Sequence, residues 1–248
     1  MKCVLLAAGT STRLRPLTTK TPKCLLPVGG IPLLERTLVN LRAVGITEIC
    51  LVTGFRARAV RTFVSRRFNS VPVTFIDNPG FLTTNNAVSL SLARSFVGSD
   101  PFLLLDSDII FGKNLLKHLL TQKRRPNRVA VRVRGPHDEE EIRVSINRWD
   151  HIRRIGKTVA LKETYGESVG IEVFAPPASV RLFEILQRRI RTAAGRKEFY
   201  EASFQSLIDE GHRIWAVDIS DFPCAEIDTA EDLAYAEEVI VPRISNHG

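Results

Sequence analysis

A chain of 248 residues, 44% of them hydrophobic and 25% charged, carries enough apolar content for one full core and falls within the range of a single α/β domain. The uncharged run that follows Lys2, residues 3–12, is too short and too weakly flanked by basic residues for a signal peptide or a membrane span. Four cysteines (Cys3, Cys24, Cys50, Cys224) form no C-x-x-C pair and have no histidines at zinc spacing, which points to free thiols and a reduced, cytoplasmic setting. The formal net charge of +8 is carried mostly by arginine. These arginines are dispersed over separate predicted helices, as solvated faces that attract anionic substrates. A nucleic-acid surface would gather them in one segment.

The first predicted element is an apolar strand over 4–8. It breaks at Gly9 into a loop rich in threonine and serine (Thr10, Ser11, Thr12, Thr18, Thr19, Thr21) and threaded with Arg13, Arg15, Lys20 and Lys23. A polyphosphate site needs such a loop: glycine admits close approach of the backbone, exposed N–H groups cradle an anion, and arginine and lysine neutralise its charge. Neither G-x-x-x-x-G-K-[ST] nor G-x-G-x-x-G is present, so the P-loop and the dinucleotide fingerprint are excluded. Composition alone leaves a plain basic surface loop as an equal alternative.

The longer stretch LLAAGTSTRLRPLTTKTPKCLLPVGGIPLLE resembles the signature of nucleotidyltransferases that join a nucleoside triphosphate to a sugar or alcohol phosphate. One fixed position differs: Ser11 stands where that family usually has a second glycine, a residue that tolerates positive φ better. The resemblance implies a single-domain, Rossmann-like α/β fold over 1–240, with a mostly parallel central sheet, flanking helices, a small β-ribbon extension and a tail over 241–248. It also implies that Arg13 and Lys23 act on the phosphates. The backbone of Leu6, Ala7, Ala8 and Gly9, together with Thr10 and Ser11, would lie against the nucleotide.

Farther along, an amphipathic helix is expected over 33–44, ended by Gly45, then a strand over 48–53, a basic helix over 56–68 and a strand over 73–76. This order implies parallel strands, right-handed crossovers and a nucleotide at the carboxyl ends of the strands. A polar loop over 80–86 precedes a helix over 87–96, with Thr84 or Asn85 as N-cap. Asn78, Thr84 and Asn86 are candidates for reading the base. The N-N-x-x-S-L form at 85–90 resembles bacterial phosphocholine cytidylyltransferases and related enzymes of small amino-alcohol phosphates or phosphonates.

The strand over 101–108 ends in Asp106 and Asp108, on the same side of an extended segment. Two carboxylates at that edge suit a hard divalent cation, and a turn or N-cap role is the alternative. The family resemblance assigns Asp108 to Mg²⁺ and leaves Asp106 with the nucleotide.

A helix over 115–122, a half-exposed strand over 128–134, an acidic loop over 138–141 and a β-ribbon over 143–155 follow. Lys162 lies where relatives place a lysine on the acceptor phosphate, with a surface lysine as the alternative. In the strand over 169–174, Glu172 either faces solvent or lines a pocket. Helices are expected over 180–191 and 199–210. Tyr200 and Glu201 at the start of the second are candidates for a cationic head group through cation–π contact and ion pairing, or Glu201 is a helix-start acid stabilised by the dipole.

After a strand over 213–217, Thr229 and Asp232 form a box that caps the terminal helix and leaves Asp228 unexplained. The E-I-D-T pattern there resembles the family's second metal aspartate. Together these features imply a Mg²⁺-dependent enzyme that couples a nucleoside triphosphate, CTP favoured, to a small phosphate or phosphonate acceptor such as phosphocholine or 2-aminoethylphosphonate, releasing pyrophosphate. A sugar-1-phosphate or inositol-phosphate acceptor is the alternative, and a catalytically silent nucleotide-sensing domain is the alternative of another class. No membrane or nucleic-acid partner is implied, and the oligomeric state stays open.

Overall fold

The computed structural model describes residues 1–69, 71–135 and 141–245. β1 (Lys2–Ala7) is buried from Cys3 onward, as a strand covered on both faces of a parallel sheet must be. The phosphate-type loop and a short hairpin, β2 (Pro27–Val28) and β3 (Ile31–Pro32), lead into α1 (Leu33–Ala43). Helix α1 buries Leu33, Leu34, Leu38 and Leu41, and Gly45 stops it in the left-handed region at φ 78°. Next come β4 (Ile49–Thr53), α2 (Ala57–Arg67) and β5 (Val73–Asp77). The helix expected over 87–96 is divided at Ala93 into α3 (Asn86–Leu92) and α4 (Arg94–Val97), because Ala93 leaves helical geometry with ψ 0°. Its N-cap is Asn85, whose side chain accepts from the Asn86 N–H.

β6 (Phe102–Asp106) is followed by a turn and by β7 (Ile109–Phe111), α5 (Lys113–Thr121) and β8 (Arg128–Arg132). The ribbon β9 (Arg143–Ile146) and β10 (Ile152–Gly156) turns through Asp150 at φ 61°. The acidic loop expected over 138–141 lies mostly outside the described residues. β11 (Gly166–Phe174), α6 (Ala178–Arg189), α7 (Glu201–Asp209), β12 (Trp215–Asp218) and β13 (Cys224–Glu226) complete the body. α8 (Ala230–Tyr235), a π-helical turn (Ala236–Ile240) and α9 (Val241–Ser245) close the described chain. Among the described residues, no helix is long and apolar enough to cross a membrane.

Nine strands form the main sheet, running β10-β9-β11-β6-β1-β4-β5, with β8 also on β11 and β12 on β8. β6, β1, β4 and β5 are mutually parallel, whereas β11 runs antiparallel to β6. β1 therefore has β4 on one side and the later β6 on the other. The strand order reverses there, and a crevice opens beyond the carboxyl ends of β1 and β6, the usual ligand position in open α/β sheets.

Apolar cores cover both faces of the sheet, one centred on Val4, Leu90, Phe102 and Phe174, the other on Leu5, Leu38, Leu51 and Phe111. A third cluster of Leu14, Leu26, Ile110, Ile227 and Ile240 seats the C-terminal helices against the phosphate-type loop.

Outside the main sheet, β13 pairs only with β7, antiparallel, with Cys224 opposite Phe111 and Glu226 opposite Ile109. The Ile227 N–H donates to the Asp108 carbonyl at 3.0 Å, so this ribbon holds residues 108 and 226–228 together. The Thr229–Asp232 box forms as expected. Asp232 Oδ2 also accepts from the Asp228 N–H at 3.0 Å, which fixes the residue that the box left over.

A candidate nucleotidyl-transfer cleft

A cleft of about 360 Å³ opens at the β1/β6 switch point. Its walls include Leu6, Ala8, Gly9 and Ser11 from the first loop, Asn78, Thr84 and Asn86 from the β5–α3 connection, and Asp106, Asp108, Glu201 and Asp228 opposite. Arg13 and Lys23 enter from the first loop. Ala7 and Thr10 are not part of the lining; Ala7 packs in the core instead.

Ser11 adopts the left-handed conformation at φ 49° and ψ 54°, the backbone that a glycine there would take without strain. The loop is stapled around it. Thr18 Oγ1 donates to the Ser11 carbonyl at 2.7 Å, and Leu14 N–H donates to it at 3.3 Å. The Leu6 and Ala8 carbonyls accept from the Ser107 and Phe55 N–H groups.

Lys23 Nζ lies 2.6 Å from Asp108 Oδ2 and 2.5 Å from Asp228 Oδ1, and the Arg13 guanidinium also bonds to Asp228. Burial opposes the Lys23 charge, but the two carboxylates outweigh it and hold its pKa above the ordinary lysine value. Asp228 is likewise a balance: burial favours its neutral form, and Lys23 with Arg13 prevails and lowers its pKa. Four residues from sequence positions 13 to 228 thus form one charge network.

A further acid belongs to this network. Glu226 offers an oxygen within 4.8 Å of oxygens from both Asp108 and Asp228. Desolvation in the cleft and the charges of Asp108 and Asp228 push its carboxyl up to about 9. The sequence contained a signal for it: Glu226 and Asp228 flank the buried Ile227, so alternate residues of an extended segment share a side. The donor set fits a hard divalent cation. It consists of carboxylate oxygens that crowd one another, and Asp108 Oδ1 is buried with no hydrogen-bond partner.

The strand expected over 101–108 ends at Asp106, because a turn at 107–108 follows. The two aspartates consequently take different partners: Asp108 meets Lys23, and Asp106 Oδ2 accepts from the Tyr200 hydroxyl at 2.8 Å. Burial, then the charges of Asp108 and Glu201, raise the Asp106 pKa well above the carboxylate range. Gly170 crosses directly behind it at φ 71°, where an added Cβ would stand 2.8 Å from Asp106 Oδ2.

The base-reading candidates are occupied structurally. Asn78 donates to Thr84 Oγ1 and Ser89 Oγ at 3.2 and 3.0 Å and accepts from the Gly80 N–H at 2.9 Å. Thr84 Oγ1 donates to the Gly80 carbonyl, and Asn86 Oδ1 accepts from the Tyr200 N–H at 2.9 Å. These side chains build the wall of the cleft and tie it to the start of α7.

Three acceptor-side expectations are corrected. Lys162 is exposed on a 3₁₀ turn (Leu161–Glu163) and does not line the cleft. Tyr200 is 0% exposed and packs on Phe204 with ring centroids 5.1 Å apart, so no ring face is open to a ligand. The aromatic side chains that line the cleft are Phe81 and the neighbour of Tyr200, Phe199, which is 44% exposed. Glu172 is also 0% exposed, beneath the cleft wall, with Oε1 3.4 Å from Ser168 Oγ and Oε2 unpartnered. Across the β11 irregularity Ser168 pairs with Val131 and Glu172 with Val129, so the two side chains share a face, Ser168 at the cleft and Glu172 farther along the strand in the interior. Glu201, by contrast, does line the cleft, with Oε2 buried and unpartnered and a pKa pushed up to about 7, chiefly by burial.

Comparison with known proteins agrees with this geometry. Over 245 residues the chain is 32% identical to the CMP-5'-(3-aminopropyl)phosphonate synthase of Streptomyces rubellomurinus, covering 96% of this chain and 38% of that protein. The chain thus spans well under two thirds of that relative's length. It is 25% identical over 238 residues to the 2-aminoethylphosphonate cytidylyltransferase of Lancefieldella rimae, covering 93% and 89% of the two chains. The solved CTP:phosphocholine cytidylyltransferase of Streptococcus pneumoniae has the same fold, with a TM-score of 0.79 at 22% identity over 96% of this chain and 98% of that one. Residues 3–207 match the profile described as the MobA-like NTP transferase domain, and the chain belongs to that family.

Proposed function

We propose that this protein transfers a cytidylyl group from CTP to a small phosphate or phosphonate carrying a cationic head group, with release of pyrophosphate. The observation that carries the transfer reaction is the network of Arg13, Lys23, Asp108, Glu226 and Asp228 at the sheet's switch point. The preference for CTP and for an aminoalkyl acceptor draws on the relatives' substrates and on the acids Asp106 and Glu201 facing the far side of the cleft.

In the reaction an acceptor oxygen attacks the α-phosphorus in line, forming the new O–P bond as the bond to the β-phosphate oxygen breaks. The acceptor is already an anion at neutral pH, so no general base is needed, and catalysis rests on positioning and charge neutralisation. Arg13 and Lys23 neutralise the triphosphate, and Gly9 gives its backbone room for the phosphates. Asp108, Glu226 and Asp228 would hold Mg²⁺, which when bound supplies Lewis-acid neutralisation of phosphate oxygens. A cationic end of the acceptor would draw the Glu201 and Asp106 carboxyls into their charged forms and pair with them, beside the Phe199 ring.

The test is pyrophosphate release with Mg²⁺ across CTP, UTP, GTP, ATP and dTTP. The acceptors are phosphocholine, phosphoethanolamine, 2-aminoethylphosphonate, glucose-1-phosphate and inositol-1-phosphate. CTP-dependent turnover confined to the amino compounds is expected. Turnover with a sugar phosphate instead would keep the transfer chemistry and refute the acceptor assignment. Triphosphate binding with no turnover on any acceptor, nor on the 3-aminopropylphosphonate of its relative, would favour a silent sensing domain.

A further inference from the structure

A second cavity, of about 410 Å³, lies at the end of the β7–β13 ribbon away from the carboxylates. It shares no lining residue with the reaction cleft. Val39 of α1, Phe111 at the end of β7, Leu115 of α5, Phe222 and Ile244 give it apolar walls. Its volume is that of a small-molecule site.

Two cations face this apolar space, Arg36 and Lys113. Arg36 Nη2 reaches the Val28 carbonyl at 3.2 Å, but its Nε is sealed from solvent with no acceptor. The guanidinium therefore lacks a full set of acceptors, and a turn of the side chain would bring that unpaired edge to an anion in the cavity. Lys113 makes no hydrogen bond or ion pair among the described residues. The one carboxylate in the lining, Asp221, is held by Arg134 Nη1 at 2.7 Å. The Asn40 amide nitrogen is already committed to the Phe111 carbonyl at 2.8 Å. α5 also begins here, with Gly112 at its N-cap supplying no side-chain acceptor.

We propose that this cavity is a second binding site, for a small amphipathic anion: a carboxylate, sulfonate or phosphate head taken by Arg36 and Lys113, and an apolar body against Phe111, Leu115 and Phe222. A purely apolar ligand would leave the two cations of the lining without an anionic partner, and an inorganic anion would leave the apolar walls wet. The site stands independently of the proposed transfer reaction.

The probe is anilinonaphthalenesulfonate, a sulfonate on a two-part aromatic body, titrated by fluorescence against the full chain. Uncharged phenylnaphthylamine serves as the control for the anionic head. Wild type is expected to bind one sulfonate probe per chain and to prefer it to the neutral control. The double variant R36Q/K113Q should bind it about tenfold or more weakly, since it removes both charged partners of the sulfonate. Lys113→Glu alone breaks no bond of the folded chain, so it tests the site even where the Arg36 change lowers stability; it should weaken binding in the same direction. Asp108→Asn in the reaction cleft should leave probe binding unchanged. Equal probe affinity in wild type, R36Q/K113Q and K113E would overturn the site, as would failure of wild type to bind or loss of binding in D108N.

Discussion

Lys23 occupies the position between Asp108 Oδ2 and Asp228 Oδ1, two of the three carboxylates proposed to hold the cation. Replacing it with alanine should therefore have two effects of opposite sense. The transferring phosphate loses a well-placed positive charge, which lowers turnover roughly 10²–10³-fold, or about 2.7–4 kcal/mol. Meanwhile the carboxylates lose their internal counter-ion. A metal ion no longer has to displace or share an ammonium whose bonds to charged groups are each worth roughly 1.5–3 kcal/mol, so affinity for a divalent cation should rise about tenfold or more. Calorimetric titration of Mn²⁺ into wild type and K23A, beside a pyrophosphate-release assay, reads both effects. Tighter metal binding with crippled turnover is expected. Weaker metal binding in K23A would refute the reasoning, because it would mean that Lys23 supports the cation site and does not compete with it.

Glu201 makes stability depend on pH. Its folded-state pKa of about 7 lies above the ordinary 4.5, so the folded chain keeps a proton that the unfolded chain has lost. Stability from this group is full below pH 4.5 and falls by about 3 kcal/mol as pH rises toward 7. Melting curves between pH 4.5 and 8 should show this slope in wild type and a flatter one in Glu201→Gln. Ser11→Gly should raise stability by about 0.5–1 kcal/mol, because removing left-handed strain outweighs the added freedom of the unfolded chain; a thermal melt would show a rise of a few degrees. Tyr200→Phe strips the hydroxyl donor from Asp106 and should cost about 1–3 kcal/mol in denaturant unfolding, whereas a stability equal to wild type would show that the bond is dispensable.

The parallel strands were readable because their apolar runs are continuous: residues 3–8 and 102–105 carry no polar interruption, and only burial on both faces suits them. The charge network was readable by motif, since Arg13, Lys23, Asp108 and Asp228 each stand in a recognisable local pattern. What escaped depends on packing. Phe199 and Tyr200 are adjacent, and only the tertiary seating of α7 decides which ring faces the cleft and which is buried. Glu172 shares a face with Ser168, which does line the cleft, and only its place farther along β11, under the packed interior, takes it out of reach. Asn78 and Thr84 looked like ligand groups because polar loop residues beside a cleft usually are. They do line the cleft, but their bonds to one another across the loop depend on the turn taken at Gly80, which residue types alone do not specify.

The ribbon that joins residues 108 and 226–228 also sets when the proposed reaction centre comes into being. A nascent chain emerging as far as residue 223 already holds every strand of the main sheet, the phosphate-type loop and both cations, yet only one carboxylate of the triad. The matched profile, too, stops at residue 207, short of Glu226 and Asp228. Competence for chemistry is in this sense acquired last during synthesis. A chain released at that point would lack Glu226, Asp228 and the helices that pack on the phosphate-type loop, so under the proposed mechanism it would be inert.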